Sequence, residues 1–358
     1  MKIRNALLLM AVMGPLLVSC TGAPAWKGES SDHFNGDVFV NRIPMQKTAG
    51  DLVSLGWGSV FEAEEWPEWI DIPQQQVPQQ RVARGLSVTF VNHASFLIQV
   101  DGINILTDPI FSERASPFQW AGPARVHQPG IAFEDLPPID VILISHNHYD
   151  HLDEGSLRRF AALEQQPLIV AGLGNGDLFR QWGLNRYQDL DWEQSTSFGD
   201  VRFTFTECRH RSGRGVADQM KTLWGSFVIS ADSGNVYFAG DTGYGPHFSE
   251  AGARHGPFAL ALLPIGAYEP RWFMRDVHVD PEEAVQAHLD LGAERSIGMH
   301  FGTFQLTYEK IDQPQTDLAL AMAVKQLPPQ AFQTLEPGAS EVIVVATEKQ
   351  RSSPGLLY

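Results

Sequence analysis

The sequence predicts one α/β domain, four-layered or barrel-like, built over roughly 260 residues behind an N-terminal arm. Three features point to it. From Leu86 the chain breaks into short β-rich runs, Leu86–Val91, Ser95–Val100 and Ile103–Leu106, separated by the turn pairs Asn92-His93 and Asp101-Gly102, which is a meander opening a sheet. Val141–Ile144 is a continuous apolar run, the mark of a strand buried on both faces. Strands and helices then alternate, with no internal repeat or low-complexity tract between them.

In chain order, Lys2 and Arg4 precede the apolar run Ala6–Val18, too short to span a bilayer but suited to a signal-peptide core. The run ends in Leu17-Val18-Ser19-Cys20, which resembles the bacterial lipobox. That resemblance implies a signal peptide over residues 1–19 and a lipidated Cys20. With Thr21 next to the cysteine, it also implies delivery to the outer membrane of a bacterial envelope. Residues 20–80 hold many Gly, Pro, Ser, Asn and Gln residues but also Trp57, Trp66 and Trp69, so they read as an arm packed on the domain. The catalytic domain is expected over residues 81–348. Asp153–Glu164 reads as a helix, followed by strands at Leu168–Ala171, Val201–Glu207, Ser226–Ser230, Val236–Ala239, Ala259–Pro264, Ser296–His300 and Val342–Ala346. Another helix is signalled by Asp280 as N-cap, Pro281 at the first position, Glu283 completing a capping box and Gly292 beyond the end.

Composition narrows the class. A hydrophobic fraction of 43% over 358 residues supports a large core and excludes a disordered or collagen-like chain. The 26 Lys+Arg against 42 Asp+Glu leave a net charge of −16, which disfavours nucleic acid as a partner. For the same reason, attachment to an anionic bilayer would depend on an acyl chain on Cys20. Cys20 and Cys208 are the only cysteines, so no disulfide framework exists, and lipid on Cys20 would leave Cys208 a free thiol.

The most informative segment is His146-Asn147-His148-Tyr149-Asp150-His151, directly after the buried strand. Alternation puts His146 and His148 on one side of an extended chain end, and the turn that follows brings Asp150 and His151 to a second centre. Imidazole nitrogen mixed with carboxylate oxygen suits zinc and similar cations. Two cations sharing a carboxylate would support metal-assisted hydrolysis.

This run matches the His-x-His-x-Asp-His signature of the metallo-β-lactamase fold, an αββα sandwich. The resemblance implies three later ligands, for which His210, Asp241 and His300 stand in order after strands. It further implies that His146, His148 and His210 hold one metal, that Asp150, His151 and His300 hold the other, and that Asp241 bridges two Zn2+ per chain. The stretches Leu106–Ser112, Leu136–Asp140, Ser145–Asp153, Pro264–Met274 and His278–Ala284 are more specific. Over roughly residues 30–347 they are similar to N-acyl-phosphatidylethanolamine-hydrolysing phospholipase D. Members of that family are dizinc phosphodiesterases that release an N-acylethanolamine and phosphatidic acid. The resemblance also implies a membrane-facing apolar groove and a homodimer; the lipobox-like terminus departs from the animal enzymes.

The residues expected to meet a phospholipid come from two stretches. Arg209, Arg211 and Arg214 flank His210, and Arg211 is the candidate for an anionic oxygen. Tyr268, Arg271 and Trp272 belong to an aromatic cluster framed by arginines, a composition suited to an apolar chain with a phosphate head. His278 precedes the helix cap and can face the site, so Asp150 and His278 are the expected catalytic residues. Asp108 reads either as the partner of a metal histidine or as an Asp-Pro turn. His93 and His288 read as structural. The competing functions are a lactone or ester hydrolase of the same fold and a non-catalytic envelope lipoprotein.

Overall fold

Alternating apolar residues and left-handed turn positions produce the expected meander. In the computed structural model, which describes residues 22–23, 25–45, 62–73 and 80–344, strands β1 (Leu86–Asn92), β2 (Ser95–Val100) and β3 (Ile103–Thr107) pair antiparallel in succession. The turns pass through His93 at φ 50°, then Asp101 at 46° and Gly102 at 84°. Strands β4 (Val141–Ile144), β5 (Leu168–Gly172) and β6 (Tyr187–Leu190) add in parallel, so crossovers must cover one face. Helices α1 (Glu154–Ala161) and α2 (Gly176–Gln181) supply that cover. Asp153 caps α1, its carboxylate accepting from Ser156 N at 3.0 Å.

A second sheet is built from β7 (Ser195–Phe198), β8 (Val201–Thr206), β9 (Ser226–Ser230), β10 (Asn235–Phe238), β11 (Phe258–Pro264), β12 (Ser296–Met299) and β13 (Phe332–Gln333), which lie in the reverse spatial order. Strand β14 (Ser340–Ile343) returns to the first sheet beside β1, giving the order β14-β1-β2-β3-β4-β5-β6. Helices α3 (His247–His255), α4 (Arg271–Met274), α5 (Pro281–Leu291) and α6 (Gln313–Val324) follow strands of the second sheet, with α5 lying on β11 between α3 and α6. The α5 capping box forms between Asp280 and Glu283, and Gly292 ends the helix in the left-handed region, as its sequence signals predict.

Apolar packing between the layers holds these parts together. Leu143, Val88 and Ile98 face Phe203, Phe205 and Phe227 between the sheets, and the Phe205 and Phe227 rings lie 5.0 Å apart. On the outer side of the first sheet, Ile142 and Ile144 pack with Leu157, Phe160 and Phe179 of the helices. The arrangement is an αββα sandwich of metallo-β-lactamase type. Phe34 and Phe39 of the arm are buried in the larger of the apolar clusters, and Trp66 Nε1 donates to Glu309 O at 2.9 Å. Trp57, Cys20 and the expected signal peptide lie outside the described residues.

Strands β6, β7 and β13 escaped the sequence reading. Each is the outermost strand at its end of a sheet, and the half-exposed Tyr-Gln-Asp-Leu and Ser-Thr-Ser-Phe segments carry no continuous apolar run. Several other boundaries shift by one residue; the last strand starts earlier, at Ser340, and runs to Ile343, while residues 345–346 of the expected Val342–Ala346 strand lie outside the described residues.

Replacing fully buried Phe205 by Ala is expected to cost about 3–5 kcal/mol through lost burial and a residual cavity. Chemical denaturation checks this: the midpoint should fall with an unchanged m-value.

Candidate metal centre

Every candidate ligand sits at a strand end, on loops that meet at one edge of the sandwich. His146, His148, Asp150 and His151 follow β4, His210 follows β8, Asp241 follows β10 and His300 follows β12. Close packing holds these loops in register. A Cβ on Gly240 would lie 2.5 Å from Ser145 Cβ, and one on Gly266 would lie 2.1 Å from His300 O. His93, Asp108 and His300 all adopt positive φ, at 50°, 32° and 62°, a strain that clusters at functional sites.

Two groups of ligand atoms converge. In the first, His148 Nδ1 lies 2.8 Å from His146 Nε2 and 3.3 Å from His210 Nε2, with Asp241 Oδ2 at 3.8 Å from His146 Nε2 and 3.7 Å from His210 Nε2. In the second, Asp150 Oδ2 lies 3.3 Å from His151 Nε2 and 3.2 Å from His300 Nε2. Asp241 Oδ2 is also 3.2 Å from each of those two histidine nitrogens, which places it between the groups.

Hydrogen bonds behind the rings set their tautomers. Ser145 Oγ donates to Asp108 Oδ2 at 2.6 Å and so accepts from His146 Nδ1 at 2.9 Å. His151 Nδ1 donates to Asp108 Oδ2 at 2.7 Å, and His210 Nδ1 donates to Val277 O at 2.9 Å. The three Nε2 atoms therefore point inward, where a cation can take the place of a proton. Asp108 is fully buried at the end of β3 and orients a metal-site histidine, which decides between its two sequence readings.

The electrostatics follow from burying two carboxylates among histidines. Burial alone would raise Asp241, but His151, His300 and His278 hold it well below the usual carboxylate range. Asp150 is held low in the same way, chiefly by His151. Despite burial, Asp241 and Asp150 lift His151 well above its ordinary value, and Asp241 lifts His300 to about 9. Burial and then the charge of Arg211 press His148 down to about 3. The site thus attracts positive charge at two points. With buried His151 Nε2 and Asp241 Oδ1 lacking hydrogen-bond partners among the described residues, its imidazole and carboxylate groups fit divalent cations such as zinc.

The other predicted residues separate into two groups. His278 is 7% exposed, with Nε2 3.9 Å from Asp241 Oδ2 and its ring 5.2 Å from His210 and 5.3 Å from His300. Arg211 is partly buried beside the first group, and no ion-pair partner is found for it among the described residues. Trp272 is half exposed. By contrast, Tyr268 is buried and its hydroxyl donates to Asp317 Oδ2 at 2.6 Å. Arg271 spans His278 O, Glu283 and Asp280 at 2.8, 2.7 and 3.1 Å, which makes it a brace for the His278 loop. Arg214 stacks over Tyr149 and donates to Leu152 O, while Arg209 pairs with Asp276. Cys208 is a free, buried thiol donating to Asp241 O. The sequence marks His93 as structural; in the fold its Nε2 lies 3.1 Å from Asp150 Oδ2. A lone histidine in a hairpin turn carries no signal of that contact.

Comparison with known proteins agrees with this geometry. A family model described as a β-lactamase superfamily domain matches residues 103–301. An N-acyl-phosphatidylethanolamine-hydrolyzing phospholipase D of Caenorhabditis elegans is 36% identical over 71% of this chain and 75% of its own length. The chain belongs to this family, the N-acyl-phosphatidylethanolamine phospholipase D-like branch of the β-lactamase superfamily. An uncharacterized protein of Mycobacterium tuberculosis is 40% identical over 82% of this chain and 80% of its own. Among solved structures, a metallo hydrolase from Ignicoccus hospitalis shares the fold, with a TM-score of 0.54 and 20% identity over 73% of this chain and 99% of that one. This family member is a metal-dependent hydrolase.

In Asp108→Asn the amide can no longer satisfy both Ser145 and His151 as an acceptor. Metal affinity should fall about 10- to 100-fold. Metal titration of chelator-stripped protein measures the change.

Proposed function

We propose that the chain is a dizinc phosphodiesterase of the phospholipase D type, acting on N-acyl-phosphatidylethanolamine or a related phospholipid. The observation that carries this reading is Arg211, a charged guanidinium with no ion-pair partner among the described residues, set beside His148 and His210. A phosphodiester keeps one negative charge throughout its hydrolysis, and a guanidinium can meet it with two parallel hydrogen bonds. A neutral ester or lactone offers no such charge. The nematode relative, an N-acyl-phosphatidylethanolamine-hydrolyzing phospholipase D, supports the same class.

In this proposal His146, His148 and His210 hold one zinc, Asp150, His151 and His300 hold the other, and Asp241 serves both. Bound zinc supplies Lewis acidity and ionises water near neutral pH. The chain's own residues then act on the substrate. Arg211 binds a non-bridging phosphoryl oxygen. His278 stands between the two ligand groups, and its loop is fixed by Met274 O accepting from His278 N at 2.8 Å and by the Arg271 brace. Its ring donates to an oxygen on which charge develops. Trp272 offers an apolar surface beside that loop.

Removing such a preorganised donor in His278→Gln should lower kcat roughly 100- to 1000-fold with metal content and melting temperature retained. Undiminished kcat in a stable, metal-replete variant removes His278 from the chemistry. The wild-type reaction is tested by mass spectrometry on a phospholipid panel. Phosphatidic acid with N-acylethanolamine is the expected product pair, and free fatty acid alone would instead indicate an ester hydrolase.

The proposed setting is the bacterial outer membrane, with lipidated Cys20 as anchor. Among the described residues no helix is long and apolar enough to cross a membrane. Cys20→Ser should release the protein from the membrane fraction without detergent. Unchanged sedimentation with membranes counts against the acyl anchor.

A further inference from the structure

We infer that His93 is a positioning residue for the metal held by Asp150, His151 and His300, its Nε2–H donating to Asp150 and fixing that carboxylate's orientation. The inference rests on the ligand assignment proposed above. His93 lies in the β1–β2 turn with its ring 1% exposed, Nε2 3.1 Å from Asp150 Oδ2. An ionised carboxylate only accepts, so the proton of this contact belongs to Nε2. The opposite nitrogen, Nδ1, is buried without a partner among the described residues, and a proton there would be an unsatisfied donor while the Nε2 lone pair faced a negative oxygen. Only one tautomer avoids both costs.

The backbone supports the same role. His93 is held at φ 50° by its N–H donating to Thr303 Oγ1 at 3.0 Å, while its carbonyl accepts from His300 N at 2.9 Å. The residue therefore restrains one candidate ligand through its side chain and another through its main chain. Its ring also packs 4.0 Å from the His300 ring, with Phe304 edge-on at 5.4 Å. Filling this space would need only an apolar side chain, and a buried imidazole aimed at a ligand carboxylate does more. Oriented by His93, Asp150 has little freedom to swing away from the second centre before a metal arrives.

Two variants of the full chain test the role. Asparagine tolerates positive φ but is too short to place a donor where Nε2 stands, whereas glutamine can reach that position. Zinc titration of chelator-stripped protein against a chromophoric competitor should show two steps in the wild type. In His93→Asn one step should weaken about 10- to 100-fold, with the other step and the melting temperature of the stripped protein unchanged. His93→Gln should stay within a few-fold of wild type in both steps. Wild-type affinities in His93→Asn overturn the inference while leaving the two-metal reading intact. Equal weakening of both steps with a lower melting temperature makes His93 structural. A His93→Gln variant as weak as His93→Asn replaces hydrogen bonding by direct ligation. A wild-type titration ending at one metal overturns the two-metal reading, and the inference with it.

Discussion

Asp241 Oδ2 lies within 3.9 Å of the Nε2 atoms of His146, His151, His210, His278 and His300. A buried carboxylate is tolerable only when positive charge or strong donors surround it, and this one draws its neighbours from four separate segments of the chain. Its loop can deliver it there because β10 runs beside β11 in the middle of the second sheet and Gly240 lets the backbone pass close to Ser145. The first sheet brings the His146–His151 run to the same edge. The inter-sheet apolar layer thus sets the distance between the two halves of the site.

Around this centre, charge and tautomer are managed by residues that need not touch a metal. Asp108 is joined to Ser145 and His151, Ser145 to His146, and Val277 O to His210. Each link places a proton on the outward nitrogen and points the inward one at the site. The cost is paid in strained backbone at His93, Asp108 and His300 and in buried polar groups that only this arrangement satisfies.

The arginines near the site differ in what engages them. Arg214 is buried against Tyr149 and backbone carbonyls, Arg209 is paired with Asp276, and Arg271 ties the His278 loop to the capping box of α5. Arg211 stands apart because no carboxylate neutralises it among the described residues. That difference separates Arg211, the residue proposed to meet an anionic substrate, from three that protein partners hold in place.

Much of this was legible before folding. Three histidines and an aspartate packed into residues 146–151 after an apolar strand announce a metal site, and the order of His210, Asp241 and His300 after later strands completes it by resemblance. The inner strands and the α5 cap were readable because burial and hydrogen bonding impose local patterns on the sequence. Edge strands β6, β7 and β13 were not, since half-exposed polar strands lack such a pattern. Local sequence also left open which arginines are held by protein partners, whether Asp108 orients a ligand and what His93 touches. Those answers depend on distances between residues far apart in the chain, from 37 positions between Asp108 and Ser145 to 210 between His93 and Thr303. The residue types and their local spacing determined the chemistry and the fold class. Only the packing of the two sheets decided which donors converge, because a hydrogen bond or a shared ligand position depends on ångström distances that no local pattern encodes.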